Sequence, residues 1–198
     1  MLTLGKPQSK IVRRFLDAQA SLDFTYTGVG TTATQPLTGY VIDHTRAKLG
    51  RGERVFDMAK SALEQWRQFR LGWVDVWSNE TPIREGEVVA VVARVAGVWW
   101  LNACRIVYVI NDRQPVRRFG FAYGTLPDHA ESGEERFLLE MDESEEVWYD
   151  ILAFSRPRHV LARLAYPYVR VLQRRFGRAS VAEMLNATAE GVICSPTE

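Results

Sequence analysis

The stretch LPDHAESGEERF, residues 126–137, places Asp128, His129, Glu131 and Glu135 close together along the chain. An imidazole beside carboxylates is the minimal equipment for acid–base proton transfer. It also supplies ligand types that metal ions accept. A metal site would need a second spaced ligand pair, which His129-x-Glu131 lacks, and Asp43-His44 would have to be brought to it by the fold. The pattern therefore reads as a solvated loop histidine and no metal site. His129 stays a candidate proton carrier.

Glu135 is more informative, because it shares a strand face with Phe137, Leu139 and Met141 and so points towards the interior. By the same alternation Arg105 aligns with Leu101, Ala103, Val107 and Val109, and Arg94 with Val88, Ala90 and Val92. Ionised groups on apolar faces must be paired or solvated, so Glu135 is expected to meet Arg105 or Arg94. Such a pair can be purely structural. It can also anchor the polar end of a ligand in an apolar pocket, with Asn102, Tyr123 and Tyr149 beside it. A carboxyl raised in pKa by that burial would be the second candidate for moving a proton. Arg51, Gly52 and Arg54 stand where a helix begins, and helix N-termini bind anions through free N–H groups; the ordinary alternative is a charged first turn. Gly28-Val29-Gly30 lacks the strand–turn–helix setting of a dinucleotide loop. Ser155 lies in Phe-Ser-Arg-Pro rather than a nucleophile elbow. No cofactor is expected.

The elements that must position these groups follow from periodicity. Ile11, Val12, Phe15 and Leu16 fall on one side of a short helix over residues 9–20, with Ser9 as its cap. A Gly/Thr-rich connection containing Pro36 leads to a strand, YVIDHTRAKLG. Val55, Phe56, Ala59, Leu63, Trp66 and Phe69 then recur at helical spacing from Glu53 to Phe69. After Gly72 six segments rich in β-branched and aromatic residues succeed one another with short joins, an antiparallel meander. In the fourth of them Phe119, Phe121 and Tyr123 occupy one face and Gly120, Ala122 and Gly124 the other. That bare face is filled by close packing of a helix or the N-terminal segment, or else it opens a cavity. The following loop, Leu126 to Glu134, is longer than an ordinary hairpin connection. From Val160 to Phe176 a helical stripe includes Leu161, Leu164, Tyr168 and Leu172, with Arg158, Arg163, Arg170 and Arg174 off it. Pro167 is expected to kink this helix. Ser180 and Glu183 have capping-box spacing that would restart it after Gly177, against which one long helix is the preferred reading. The fold class is α+β: a curved antiparallel sheet of six to seven strands wrapped on a long C-terminal helix, the helix-grip arrangement, with an N-terminal helix added.

Composition narrows the function. At 198 residues with 46% hydrophobic content, one domain over 1–198 is expected, its core at 24–178 between an N-terminal helix and a helical extension with a tail. Twenty-five basic against 24 acidic residues give net charge +1, which offers no field for nucleic acid or an anionic membrane. Cys104 and Cys194 suggest neither a disulfide framework nor zinc. No signal-like or membrane-spanning run occurs, so a soluble cytoplasmic protein without stable membrane insertion is the expectation.

Several segments together resemble the UPF0548 family, a bacterial and plant domain of unknown function: Phe24-Thr25-Tyr26-Thr27-Gly28-Val29-Gly30, Leu49-Gly50-Arg51-Gly52, Phe119 to Pro127, Gly133-Glu134-Glu135-Arg136-Phe137 and Ala153-Phe154-Ser155-Arg156-Pro157. The resemblance transfers no activity. Its element order is similar to the START and birch-pollen-allergen superfamily, which implies an apolar ligand beneath the long helix. A small, largely apolar ligand, lipid-like or polycyclic, is thus the first expectation, walled by Leu161, Leu164, Tyr168 and Leu172. The alternatives are an enzyme using His129 or Glu135 on the same scaffold, and a protein-interaction module without a ligand.

Overall fold

The computed structural model describes residues 1–34 and 39–193; Pro36 and Cys194 lie outside them. The chain runs β1 (Leu2–Thr3), α1 (Ser9–Gln19), β2 (Val41–Arg51), α2 (Glu53–Glu64), β3 (Val74–Trp77), β4 (Val88–Val95), β5 (Val98–Asp112), β6 (Arg117–Thr125), β7 (Glu131–Met141), β8 (Glu146–Pro157), α3 (Val160–Leu164) and α4 (Tyr166–Ile193). Seven strands form one curled antiparallel sheet in the order β2-β8-β7-β6-β5-β4-β3, and β1 pairs with β5. The meander supplies β3 to β8 in sequence. β2 closes the other edge by pairing with β8, with Thr45 opposite Ile151. No helix among the described residues is long and apolar enough to cross a membrane.

Half of the concave interior is solid. Phe56, Ala59 and Leu63 of α2 pack with Phe119, Phe121, Phe137, Leu139, Val147 and Tyr149, and Met184 and Ala187 of α4 join them. Burying residues of this size is the dominant stabilising term. The α4 helix is tied across by a hydrogen bond between the Ser180 and Tyr149 hydroxyls at 2.9 Å. It comes so near β2 that a Cβ on Gly177 would lie 2.8 Å from Thr45 Oγ1.

The convex side is covered as well. Val12, Phe15 and Leu16 of α1 pack on Ala90, Val92, Leu101 and Ala103. The segment after α1 crosses β6 and β7, where Glu134 holds it. Its Oε2 accepts from Tyr26 Oη–H (2.7 Å) and Gly30 N–H (2.7 Å), and its Oε1 accepts from Thr32 N–H (3.0 Å) and the Thr32 hydroxyl. Asp150 accepts from Arg136 at 2.8 Å and meets His44 at 2.7 Å on the same side. The bare face of β6 therefore opens no cavity: a Cβ on Gly124 would lie 2.1 Å from Tyr26 Oη and 2.9 Å from the Phe24 ring.

Four local expectations change. The α2 helix stops at Glu64 and Trp66 adopts a left-handed φ of +58° before a 3-10 turn over Arg67–Phe69. Spacings of three residues fit either helix type, so Leu63, Trp66 and Phe69 did not reveal the break. Ser9 is the first helical residue and makes no cap, Gln8 holding that position. Ala165 separates α3 from α4, so Pro167 falls in the first turn of α4 and starts a helix there, where a missing N–H costs nothing. Past Gly177 the preferred reading holds: α4 runs on without interruption and Ser180 is no cap. Finally, β7 begins at Glu131, which shortens the connection after β6 to Leu126–Ala130, within the ordinary hairpin range.

Candidate functional site

The other half of the concave interior is hollow, and alternate residues of the strands explain why. Inward positions of β7 run Leu139, Phe137, Glu135, Gly133, Glu131; those of β8 run Val147, Tyr149, Ile151, Ala153, Ser155. Side-chain bulk falls away along both strands towards the α3 end. The space left is a cavity of about 450 Å³, walled by apolar groups that include Phe69, Trp73, Val91, Ala93, Ile151 and Phe176. Phe69 forms part of its inner end, 5.4 Å from the Phe137 ring and 5.3 Å from Phe176. Ala96, Leu161, Ala165 and Tyr168 are lining residues that are also exposed, which sets the mouth between the β4–β5 turn and the α3–α4 elbow. A sealed dry void of about 450 Å³ would cost on the order of 10 kcal/mol, comparable with the stability of a whole domain. The hollow must hold water or a guest.

Polar surface is the minor part of its wall, and among the described residues the side chains there that carry a full charge are acidic. Glu135, opposite Tyr123 in the β6–β7 pairing, accepts from the Tyr123 hydroxyl at 2.6 Å through Oε2. Burial pushes its pKa up to about 7; the Tyr123 hydrogen bond works against that shift, and the charges of Glu131 and Asp43 add to it. Glu131 is likewise pushed up to about 7 by burial, although Gln173 Nε2 donates to it at 2.7 Å. Asp43 is clasped by Arg170, whose two terminal nitrogens reach its two oxygens at 2.5 and 2.7 Å. Gln173 Nε2 also donates to Ser155 Oγ at 2.9 Å, so Arg170 and Gln173, one helical turn apart, fasten α4 to the acidic wall.

His129 lines the cavity and is not a solvated loop residue. Its Nδ1 accepts from Glu131 N–H at 2.9 Å, and burial lowers its pKa to about 4. It is neutral at pH 7. A proton NMR titration of its ring should show a midpoint near pH 4, in place of the usual value of about 6.5; a midpoint above 6 would show that the ring is hydrated.

The ion pair expected of Glu135 does not form. Arg105 donates to the Ala20 and Leu22 carbonyls at 2.7 and 2.9 Å, and Arg94 lies over Trp99. Both arginines belong to the convex side. Strands β4 and β5 are buried on both faces, so alternation could not tell which was inward, and the bulge between Ile106 and Tyr108 breaks the alignment with Val109. Of the remaining candidates, Asn102, Tyr123, Leu161, Tyr168 and Leu172 lie on the cavity wall. Asn102 also accepts from Ala130 N–H at 3.1 Å, fixing the loop that carries His129. Tyr149 belongs to the solid half, Leu164 is 78% exposed outside the cavity, and Arg105 is remote from it.

At the start of α2, Arg51 faces Glu145 at 3.9 Å, and the Gly52 N–H donates to the Glu145 carbonyl at 2.8 Å. The start of α2 that holds Arg54 also carries Glu53 and Asp57, which pair with Arg117, so the charges there are mixed and form no cationic cradle. Asp43 shares the cavity with Glu131, but His44 points to the opposite face, so the two pairs do not converge. Among the described residues no three His, Cys, Asp or Glu side chains are placed to hold a metal ion. Sequence reasoning missed Arg170 and Gln173 by assigning the helix arginines to solvent. Their signal was positional: both share one helical face with Phe176 and Gly177.

Comparison with known proteins agrees with this architecture. Human STARD10 superposes with a TM-score of 0.51 at 11% identity, covering 94% of this chain and 81% of its own. The ZhuI aromatase/cyclase of a Streptomyces species gives 0.51 at 13% identity, covering 77% and 96% respectively. Both likenesses concern the fold alone, a START-like α+β arrangement of a curled antiparallel sheet and a C-terminal helix. In sequence, a UPF0548 protein of Dictyostelium discoideum is 33% identical, over 94% of this chain and 95% of its own. The model for the domain of unknown function DUF1990 matches residues 25–183. With that match spanning the sheet, both of its faces and most of α4, the chain belongs to the UPF0548 family.

Proposed function

We propose that this protein binds a small, largely apolar molecule between the concave face of the sheet and α4, admitting it past the α3–α4 elbow. One observation carries the reading: inward side chains dwindle along β7 and β8 until a hollow of about 450 Å³ remains, within the usual size of small-molecule sites and mostly apolar like them. The superfamily fold supports it, since this architecture leaves room beneath its long helix.

Native mass spectrometry of gently extracted, untagged protein should show bound mass that organic solvent removes. A neutral fluorescent probe, N-phenyl-1-naphthylamine, should bind and brighten. Ala153→Trp, which builds a large ring into the space beside Glu135, should weaken probe binding by about tenfold or more while the protein stays folded. Unchanged binding in that variant would place the probe elsewhere and defeat the proposal. A second reading, proton transfer on the bound molecule, is favoured by Glu135 titrating near pH 7 within hydrogen-bond reach of Tyr123. Conversion of the captured compound by the wild type, lost in Glu135→Gln, would turn a carrier into an enzyme.

A further inference from the structure

We infer that the guest carries a cationic nitrogen, a protonated amine on an apolar body, and that its head group meets Glu135 at the inner end of the cavity. This rests on the ligand-binding reading above and specifies the chemistry of the same site.

The charges facing the cavity are one-sided. β2 contributes Asp43, and β7 contributes Glu131 and Glu135. Among the described residues no lysine or arginine lines the space. Arg170 approaches from α4, but both its terminal nitrogens are engaged by Asp43, and one also by Gln173. His129, from the β6–β7 loop, is neutral at physiological pH. Tyr123 from β6 and Asn102 from β5 carry no charge. One arginine thus answers three carboxylates, and Asp43 takes it.

Glu135 is where a donor is missing. Its Oε2 accepts from Tyr123, while Oε1 has no hydrogen-bond partner among the described residues. That oxygen opens on the cavity, where water or a guest must satisfy it, and an ionised carboxylate in so apolar a setting needs a counter-charge. A carboxylate guest would meet like charge at Glu131 and Glu135, and an alcohol would supply a hydrogen bond but no charge. An ammonium supplies both, in a setting that strengthens charge-assisted bonds. The opposite wall, built from Trp73, Val91 and Ala93, suits the apolar remainder of such a molecule, extending from Glu135 to the mouth. Burial holds the Glu135 pKa near 7 when the site lacks a cation; arrival of an amine should fix the carboxyl in its ionised form.

The test compares three probes of equal chain length, n-decylamine, n-decanol and decanoate, each below its micelle concentration at about pH 7.5, where the amine is protonated. Binding is followed by calorimetry and by the fluorescence of Trp73 and Trp100 at the cavity wall. Decylamine should bind about tenfold more tightly than decanol, with decanoate weakest. Glu135→Gln should abolish the amine's advantage, weakening amine binding far more than decanol binding, and Glu131→Gln should diminish the advantage by less. The inference is overturned if decanol or decanoate equals the amine in the wild type, a comparison needing no variant, or if folded Glu135→Gln retains the preference. Binding of decanol without amine preference would leave the apolar-ligand reading standing. Binding of none of the three would remove both.

Discussion

Glu134→Ala should destabilise the protein by about 3–5 kcal/mol, read as a lowered urea midpoint and a melting temperature lower by roughly 10 °C. The carboxylate is buried, and it accepts four hydrogen bonds from a segment more than 100 residues away in sequence. Truncation leaves the Tyr26 hydroxyl, the Gly30 and Thr32 amides and the Thr32 hydroxyl competing for acceptors they no longer have. Unmade bonds at buried donors cost more than made ones contribute. The loss should spread to the whole convex cover over β6 and β7, so amide exchange ought to rise across residues 24–33 before it rises in the sheet. A midpoint within 1 kcal/mol of wild type would mean that water reaches these donors.

Glu135→Gln, one residue along and on the other face, should act in the opposite direction. Above about pH 7 it should stabilise the protein by roughly 2 kcal/mol, and near pH 4.5 it should do nothing. The ordinary glutamate pKa of about 4.5 is raised here to about 7, so between these values the folded protein keeps a proton that the unfolded chain has released. Wild-type stability therefore declines as pH rises through this window, and the full cost is present above it. Glutamine stays neutral throughout and still accepts from Tyr123. Glu131 contributes in the same sense, whereas His129, neutral and buried, loses stability as pH falls from 6.5 towards 4. The wild-type curve sums all three, so the difference between variant and wild type across pH isolates Glu135. A difference that does not change with pH would show Glu135 to be hydrated and normal.

Why two adjacent glutamates differ so much was only half legible in the sequence. Alternation did identify Glu135 as inward, because Phe137 and Leu139 flank it on an unmistakable core face. The role of Glu134 was hidden, since its donors come from a Gly/Thr-rich segment whose path no periodicity describes. The element order, and with it the superfamily fold, was readable because β-branched runs and the α2 and α4 stripes are long and regular. Faces were readable where one side of a strand carries mostly polar residues, as β7 does with Ser132, Glu134, Arg136 and Glu140. On β4 and β5, where α1 covers the outside, the same alternation assigned Arg94 and Arg105 to the wrong side and invented an ion pair. The position of the hollow was in fact encoded, in the shrinking series Leu139, Phe137, Glu135, Gly133 on β7 and its counterpart on β8. Reading it required knowing that these residues face one another across a curled sheet, which is long-range information.

Stability and selectivity reside at opposite ends of the same strands. Leu139, Tyr149 and Val147 anchor the fold, whereas Gly133, Ala153 and Ser155 border the hollow. Of these positions Ala153 is the one open to change: a Cβ on Gly133 would lie 1.9 Å from the Phe154 carbonyl oxygen, and Ser155 accepts from Gln173 of α4. On the ligand-binding proposal, differences in what family members admit should concentrate at the position of Ala153, while that of Gly133 stays glycine.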